Sequence, residues 1–178
     1  MAVGNLEFIK SVEVTTSTSS VDVTDCFSAN YDVYKITTND FSTVGTLQTA
    51  LDLRFLDSGG SVVSASNYDY AYLNMKANTT FAEVKNTNQT FIDNIFGVPD
   101  QSPEGASSVT YVFNPFSSSS YSFVTNQSAL TNASSVMKGQ KYIGVLKQTA
   151  TMSGFRLFEQ STRPFDSGKI SVYGLASN

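Results

Sequence analysis

The sequence offers few residues that could perform enzyme chemistry. It contains no His and a single cysteine, Cys26, so the usual base for Ser or Cys nucleophiles and the usual zinc ligand are both missing. A Gly-x-Ser-x-Gly elbow, a Gly-Lys-Ser/Thr phosphate loop and a dinucleotide fingerprint are also lacking. We therefore predict that the protein has no catalytic residue, binds no metal or cofactor and is not an enzyme.

Carboxylates are the one catalytic option that remains. Two Asp or Glu residues roughly 5 to 10 Å apart in a cleft can hydrolyse a glycosidic bond. Asp52, Asp57 and Asp69 are candidates because they lie near the ends of strand-like segments. The favoured interpretation is that they face solvent on turns and sheet surfaces, which leaves a carboxylate-pair glycosidase as a remote alternative.

Aromatic residues provide a possible binding surface. Tyr68, Tyr70 and Tyr72 share one face of a predicted strand, where they could stack on sugars. Alternating aromatics more often pack into a core, and the chain has no Trp. Phe113-Asn114-Pro115-Phe116, followed by four serines, offers either an apolar contact loop or an ordinary hairpin corner. Glycan binding is therefore an alternative, not the first expectation.

Charge and targeting patterns limit the partners. The net charge is -4, and without a cluster of Lys and Arg we expect no nucleic-acid binding. The three arginines, Arg54, Arg156 and Arg163, are expected to be solvated residues on strand faces. No signal-peptide pattern and no membrane-length apolar run occur. These features predict a soluble protein made without a secretion signal and with no membrane partner.

Two further residue types have simple interpretations. Cys26 has no partner for an intrachain disulfide and is expected to be a core thiol. Four Asn-x-Ser/Thr matches are expected by chance in a chain this rich in Asn, Ser and Thr, and they carry no functional prediction: Asn78, Asn88, Asn126 and Asn132.

The composition and the hydrophobic pattern predict one all-β domain over residues 1–178. Charged residues make up only 15% of the chain, and Phe and Tyr are abundant. Nine or ten short alternating segments, separated by turn signals such as Asp57-Ser58-Gly59-Gly60, favour a single-domain antiparallel β-sandwich with a jelly-roll-like topology. The terminal strand, Ile170 to Tyr173, should be paired in a sheet.

Other segments predict departures from regular strands. Apolar residues spaced by three and four within residues 80–97 predict one or two short helices. Residues 99–108 and 128–139 are predicted loops, and Asp166-Ser167-Gly168 is a predicted turn before the terminal strand.

Three stretches in the carboxyl-terminal half carry a resemblance to a known group of proteins. They are "VTYVFNPFSSSSYSFVT", "GFRLFEQ" and "FDSGKISVYGL". Together with the amino-terminal "GNLEFIKS", they resemble small virion structural proteins of tailed bacteriophages, particularly marine cyanophages and pelagiphages. The resemblance covers about residues 66 to 175. It implies a β-sandwich building block of a virus particle and transfers no catalytic residue.

Length helps to choose a position in the particle. The chain of 178 residues leaves no room for a fibre shaft or long heptad repeats. The expected function is therefore a head decoration or accessory protein, cement or knob, on the capsid exterior, made in the host cytoplasm and located in the virion. Other virion proteins are the expected partners, and a homo-oligomer is expected. A tail-appendage or receptor-binding module, with a carbohydrate ligand, is the alternative.

Overall fold

The computed structural model describes residues 5–14, 18–45, 48–99, 105–131 and 136–176. Within these ranges all regular secondary structure is β-strand. The strands are β1 (Leu6–Val14), β2 (Ser20–Val23), β3 (Val33–Thr43), β4 (Thr49–Asp57), β5 (Tyr68–Lys76), β6 (Ala82–Gln89), β7 (Ile92–Val98), β8 (Ala106–Phe113), β9 (Ser122–Thr131), β10 (Met137–Leu146), β11 (Met152–Phe158) and β12 (Phe165–Leu175).

The strands form two antiparallel sheets that pack face to face. The larger sheet has eight strands in the order β1-β12-β3-β8-β9-β10-β5-β6, and the smaller has four in the order β2-β11-β4-β7. Strand β7 of the smaller sheet contacts β3, β5, β8, β9 and β10 of the larger one. The predicted all-β antiparallel sandwich is therefore confirmed.

The pairing of early strands with late ones gives the fold its rolled character. β1 pairs with β12, and β2 pairs with β11, so the two ends of the chain are nested as in a jelly roll. The terminal strand lies between β1 and β3, where Ile170 is opposite Val12 on one side and Thr38 on the other. This confirms that the terminal strand is paired, on both edges.

Large side chains that alternate along the strands fill the space between the sheets. Val112 and Val124 point inward from neighbouring strands of the larger sheet, and Leu53 and Phe155 do so from the smaller one. Phe27 contacts the rings of Tyr34, Phe55 and Phe155 at centroid distances of 4.7, 6.3 and 6.0 Å. Edge-to-face and tilted aromatic pairs of this kind stabilise a core beyond the area that they bury.

The predicted helices within residues 80–97 are wrong, because this segment forms β6, a tight turn and β7. The pairing of β7 with β4 places Ile92 opposite Leu53 and Phe96 opposite Leu51. Three residues of β7 therefore lie opposite one residue of β4. Such a bulge shifts the alternation of inward and outward side chains, so Ile92, Ile95 and Phe96 are all buried. The apolar residues are therefore spaced by three and one, which resembles the spacing in a helix.

Two predicted loops and one predicted turn are shorter than expected or absent. β9 continues to Thr131 and β10 begins at Met137, so much of residues 128–139 is strand, and β8 already begins at Ala106. Asp166-Ser167-Gly168 lies within β12, where the register with β3 shifts twice. Gly168 is needed there because an added Cβ would lie 2.6 Å from the Phe41 ring. A bulge and a turn use the same residue types.

The turn at Asp57 is confirmed. The Asp57 carboxylate accepts hydrogen bonds from the N–H groups of Gly59 and Ser61 at 2.8 and 2.9 Å. Gly60 has a φ of 79°, in the left-handed region that glycine adopts without a steric penalty. The chain then returns so that Val62 bridges to Leu56.

Candidate functional site

The three candidate carboxylates lie in different environments and do not form a pair with one another. Asp57 accepts hydrogen bonds within its own turn. Asp69 lies on the outer face of the larger sheet, 2.9 Å from the Lys147 ammonium group. That ammonium group and the N–H of Asn88 lower the pKa of Asp69. Asp52 is completely buried, which contradicts its predicted position facing solvent.

The buried carboxylate of Asp52 accepts a hydrogen bond from the bulge in β7. Asn94, inside the bulge, has a φ of 51°, and its N–H donates to Asp52 Oδ1 at 2.7 Å. Asp52 Oδ2 has no hydrogen-bond partner in the described part of the chain. Burial raises the pKa of Asp52 to about 7, and the nearby Asp93 carboxylate adds to the rise, while the Asn94 N–H opposes it. A carboxyl group with a pKa near neutral therefore lies next to the bulge of β7.

The three tyrosines of β5 face the core, as the sequence favoured. Tyr68, Tyr70 and Tyr72 are 0%, 6% and 8% exposed. Tyr72 stacks on Tyr142 at a centroid distance of 5.0 Å, and Tyr142 donates to the carbonyl of Asp93 at 2.6 Å. Tyr70 donates to Asp93 Oδ2 at 3.1 Å. These rings anchor β7 to the larger sheet and are not a platform for an external sugar.

A polar cleft lies between the sheets beside this anchor. We call it the amide cleft and define it by the four amide side chains and one ammonium group that line it: Gln48, Asn74, Asn94, Lys138 and Gln140. Its volume is about 350 Å³, and Thr49, Ala50, Gly97 and Leu130 complete its walls. It opens where β10 and β5 of the larger sheet face β4 and β7 of the smaller one.

Hydrogen bonds hold three of the amide-cleft residues in place. Lys138 Nζ donates to Gln48 Oε1 at 2.7 Å, and Asn94 Nδ2 donates to the Tyr72 hydroxyl at 3.1 Å. Burial lowers the pKa of Lys138, and the like charge of Lys76 adds to this. A side chain at Gly97 would bring a Cβ within 2.7 Å of Gln48 Nε2, so the glycine leaves room for the amide.

Other oxygens in the amide cleft have no partner. Asn94 Oδ1 and Gln140 Oε1 are buried and accept no hydrogen bond within the described ranges, although Gln140 is only 4% exposed. Asn126 Oδ1 and Ser128 Oγ, on the neighbouring strand, are also buried without a partner. A buried polar group without a hydrogen bond costs about 1 to 3 kcal/mol, so this concentration of oxygens is expensive for stability alone.

The second candidate surface is the outer side of the larger sheet. In direct register, one row of outward residues crosses six neighbouring strands: Leu6, Leu175, Val33, Phe113, Phe123 and Val145. The next row contains Phe8, Tyr173, Lys35, Tyr111, Thr125 and Ile143. We call these two rows the apolar outer face.

The apolar outer face is open to solvent. Phe8, Ile143 and Phe123 are 62%, 61% and 47% exposed. Phe123 and Ile143 also line a depression of about 630 Å³, with Asp69 and Lys85 at its polar side. Single exposed apolar side chains are ordinary, but a continuous apolar surface marks a contact site.

The remaining sequence candidates have structural roles. Phe116 packs against the core and Pro115 accepts the Met152 N–H at 2.8 Å, so this segment is a hairpin corner. Cys26 is buried, as predicted, and burial raises the pKa of its thiol to about 12. Arg156 makes two hydrogen bonds to Asp22, at 2.6 and 2.7 Å.

Other predicted features differ in their burial. Asn126 is 2% exposed and lies inside the sandwich, so it is inaccessible in the folded chain. Asn78 and Asn88 are exposed, and Asn132 lies outside the described residues. Arg54 lies between the rings of Phe91 and Phe158, at 5.4 and 4.8 Å from their centroids.

Sequence reasoning missed Asp93, Asn94, Lys138 and Gln140. The sequence pattern could have revealed Gln140, because the alternation of β10 places it on the same buried face as Tyr142. A polar amide at such a position indicates a polar site inside the sandwich. The described residues contain no group of three or more His, Cys, Asp or Glu that could hold a metal ion. In the same ranges no helix is long and apolar enough to cross a bilayer.

Comparisons with known proteins give no family. No protein-family model and no curated protein matches the chain significantly. Among solved structures, a family 7 alginate lyase in complex with substrate has 7% identity and a TM-score of 0.24, over 83% of this chain and 63% of the lyase.

Two structures from infectious bursal disease virus also match weakly. One, from the Gx strain, has 8% identity and a TM-score of 0.20, over 97% of this chain and 40% of the viral chain. The other, a VP2 subviral particle, has 9% identity and a TM-score of 0.20, over 97% of this chain and 41% of the viral chain. This chain thus spans less than two thirds of each of the three proteins. TM-scores this low carry no argument about its fold or function.

Proposed function

We propose that the protein is a non-enzymatic structural component of a tailed-phage particle, attached to another virion protein through the apolar outer face. The observation that carries the proposal is the apolar row that crosses six strands without interruption. The sequence resemblance to small phage virion proteins supplies the setting. The most economical position is the outside of the head, as a decoration or accessory protein.

The size of the face suits a protein partner. Strands lie about 4.8 Å apart and rise about 3.3 Å per residue. The whole outer side of an eight-stranded sheet with strands of about eight residues therefore covers on the order of 900 Å², and the apolar outer face is the part of it that crosses six strands. A standard protein interface buries about 800 Å² on each side. One partner of ordinary size can therefore cover the apolar outer face together with the polar residues around it, and a symmetric oligomer multiplies such contacts on a particle.

The distribution of charged groups supports the non-enzymatic part of the proposal. The three carboxylates that the sequence nominated are separated into a turn, an outer face and the interior. The net charge of -4 and the partnered arginines Arg54 and Arg156 favour protein partners over nucleic acid. Hydrolysis of a host polysaccharide that is lost in Asp52→Asn or Asp69→Asn would overturn this part and favour the glycosidase.

Attachment is tested with particles of the phage that encodes the chain, assembled without this protein. The purified protein should co-sediment with these particles, and the double variant Phe123→Ser/Ile143→Ser should not. Phe81→Ser is the matched control, because Phe81 is 59% exposed but precedes β6, away from the two rows. Equal attachment by the double variant and the control, with both chains folded, would refute the assignment of the face.

Placement is tested by reconstruction of complete particles. The proposal expects many copies arranged on the head lattice. Few copies confined to the tail, with loss of host adsorption when the protein is removed, would instead establish the tail-appendage alternative.

A further inference from the structure

We infer that the amide cleft is a binding site for a neutral sugar unit, with Gln140 and Asn94 accepting hydrogen bonds from its hydroxyl groups. The site is separate from the apolar outer face, because it lies on the opposite side of the larger sheet. It does not depend on the proposed attachment to a particle.

The unpartnered oxygens define what the ligand must supply. Asn94 Oδ1 and Gln140 Oε1 are acceptors that need donors. A phosphate or carboxylate cannot donate, and an apolar ligand would leave both oxygens unsatisfied. A hydroxyl group both donates and accepts, so it satisfies an amide in either orientation. The ligand is therefore rich in hydroxyl groups.

The positive charge in the amide cleft favours a neutral ligand over a bound cation. Lys138 is the ionisable residue in the lining, and no carboxylate side chain accompanies it. Oxygen-binding cations such as Ca²⁺ and Mg²⁺ require carboxylates to offset their charge. Lys138 Nζ has three N–H groups and gives one to Gln48 Oε1. The others are donors for ring or hydroxyl oxygens of a neutral sugar.

The cleft is also preformed and of suitable size. A volume of about 350 Å³ lies at the small end of the range for ligand sites. The Tyr72 hydroxyl positions Asn94 through its Nδ2, and Asn94 is further fixed by its backbone bond to Asp52. Asn94 has a left-handed φ inside a bulge, and backbone strain of this kind is common at binding sites.

The experiment measures binding of methyl glycosides to the intact chain. The methyl glycosides of glucose, galactose, mannose and N-acetylglucosamine are tested at millimolar concentration by saturation-transfer NMR and by titration of amide chemical shifts. At least one should bind, with shifts at Gln140 and Asn94. Gln140→Leu keeps the volume and removes the amide, and it should weaken binding about tenfold or more.

Stability distinguishes a binding residue from a structural one. Gln140 Oε1 has no partner in the described structure, so Gln140→Leu should keep or raise the melting temperature while binding falls. Gln127→Leu is the matched control, because Gln127 is exposed on the outer face of β9, and it should bind like the parent chain.

Three results would overturn the inference. They are no binding of any of the four glycosides to the parent chain, equal binding by Gln140→Leu, and loss of melting temperature in step with loss of binding. Phe123→Ser/Ile143→Ser should bind the glycosides normally, and Gln140→Leu should attach to particles normally. The two variants therefore separate failure of the sugar site from failure of the proposed attachment.

Discussion

The buried carboxyl group of Asp52 predicts a stability that falls as the pH rises toward neutral. Its pKa is raised from 3.8 to about 7, chiefly by burial. Between pH 3.8 and about pH 7, Asp52 therefore keeps its proton in the folded chain, whereas it has lost that proton in the unfolded chain. The stabilisation is complete below about pH 4 and is lost as the pH rises through about 7.

The size of the effect follows from the shift. One pKa unit corresponds to about 1.4 kcal/mol, so a rise from 3.8 to about 7 corresponds to about 4 kcal/mol at most. Asp52→Asn imitates the protonated carboxyl group. Its Oδ1 can still accept the Asn94 N–H, which the acid accepts at 2.7 Å, and its amide nitrogen adds donors in place of the unpartnered Oδ2.

Urea denaturation of both chains at several pH values between 4 and 8 measures the effect. Relative to the parent chain, Asp52→Asn should gain up to about 4 kcal/mol in unfolding free energy between pH 4 and pH 8. Asp32→Asn, which removes the same charge from an exposed position before β3, is the control. A constant difference between Asp52→Asn and the parent chain over this range would refute the reasoning.

Three further predictions concern the core and its strand pairing. Cys26 is 2% exposed, so a thiol reagent at pH 8 should react more than about a hundredfold faster in urea than in buffer; equal rates would contradict its burial. Gly154→Ala places a Cβ 2.1 Å from the Val23 carbonyl and should cost about 3 kcal/mol in urea unfolding, whereas Gly59→Ala should cost less. Ile170→Ala, at a fully buried position of β12, should lower the free energy of unfolding by about 2 to 5 kcal/mol. The control Lys169→Ala should lower it by less than about 1 kcal/mol. Equal costs for the two variants would show that β12 does not pack as described.

The strand pattern was predictable where burial follows strict alternation. β8 alternates buried and partly buried residues along its whole length. Although residues 106–108 lie in a predicted loop, its sequence predicts a strand over Val109 to Phe113. The same holds for β5, where the tyrosines face the core. Alternation succeeds in these strands because one face of each packs against the other sheet.

Prediction failed where a bulge shifts that alternation. The apolar residues around Asp93 and Asn94 have a helix-like spacing because three residues of β7 lie opposite the single residue Asp52 of β4. A local pattern cannot reveal the insertion, because its cause is the pairing of β7 with β4, which lie far apart in the sequence. The same insertion forms part of the amide cleft, so the functional candidate and the fold error share one origin.

The two surfaces of the larger sheet can be tested separately. In β10, Gln140 faces the amide cleft while Ile143 belongs to the apolar outer face. Since neighbouring side chains of a strand point to opposite faces, a change on one side leaves the contacts of the other in place. The apolar side presents an area suited to a protein, whereas the amide side is too small and too polar for one. A module that attaches through one surface therefore keeps the other accessible to a small ligand.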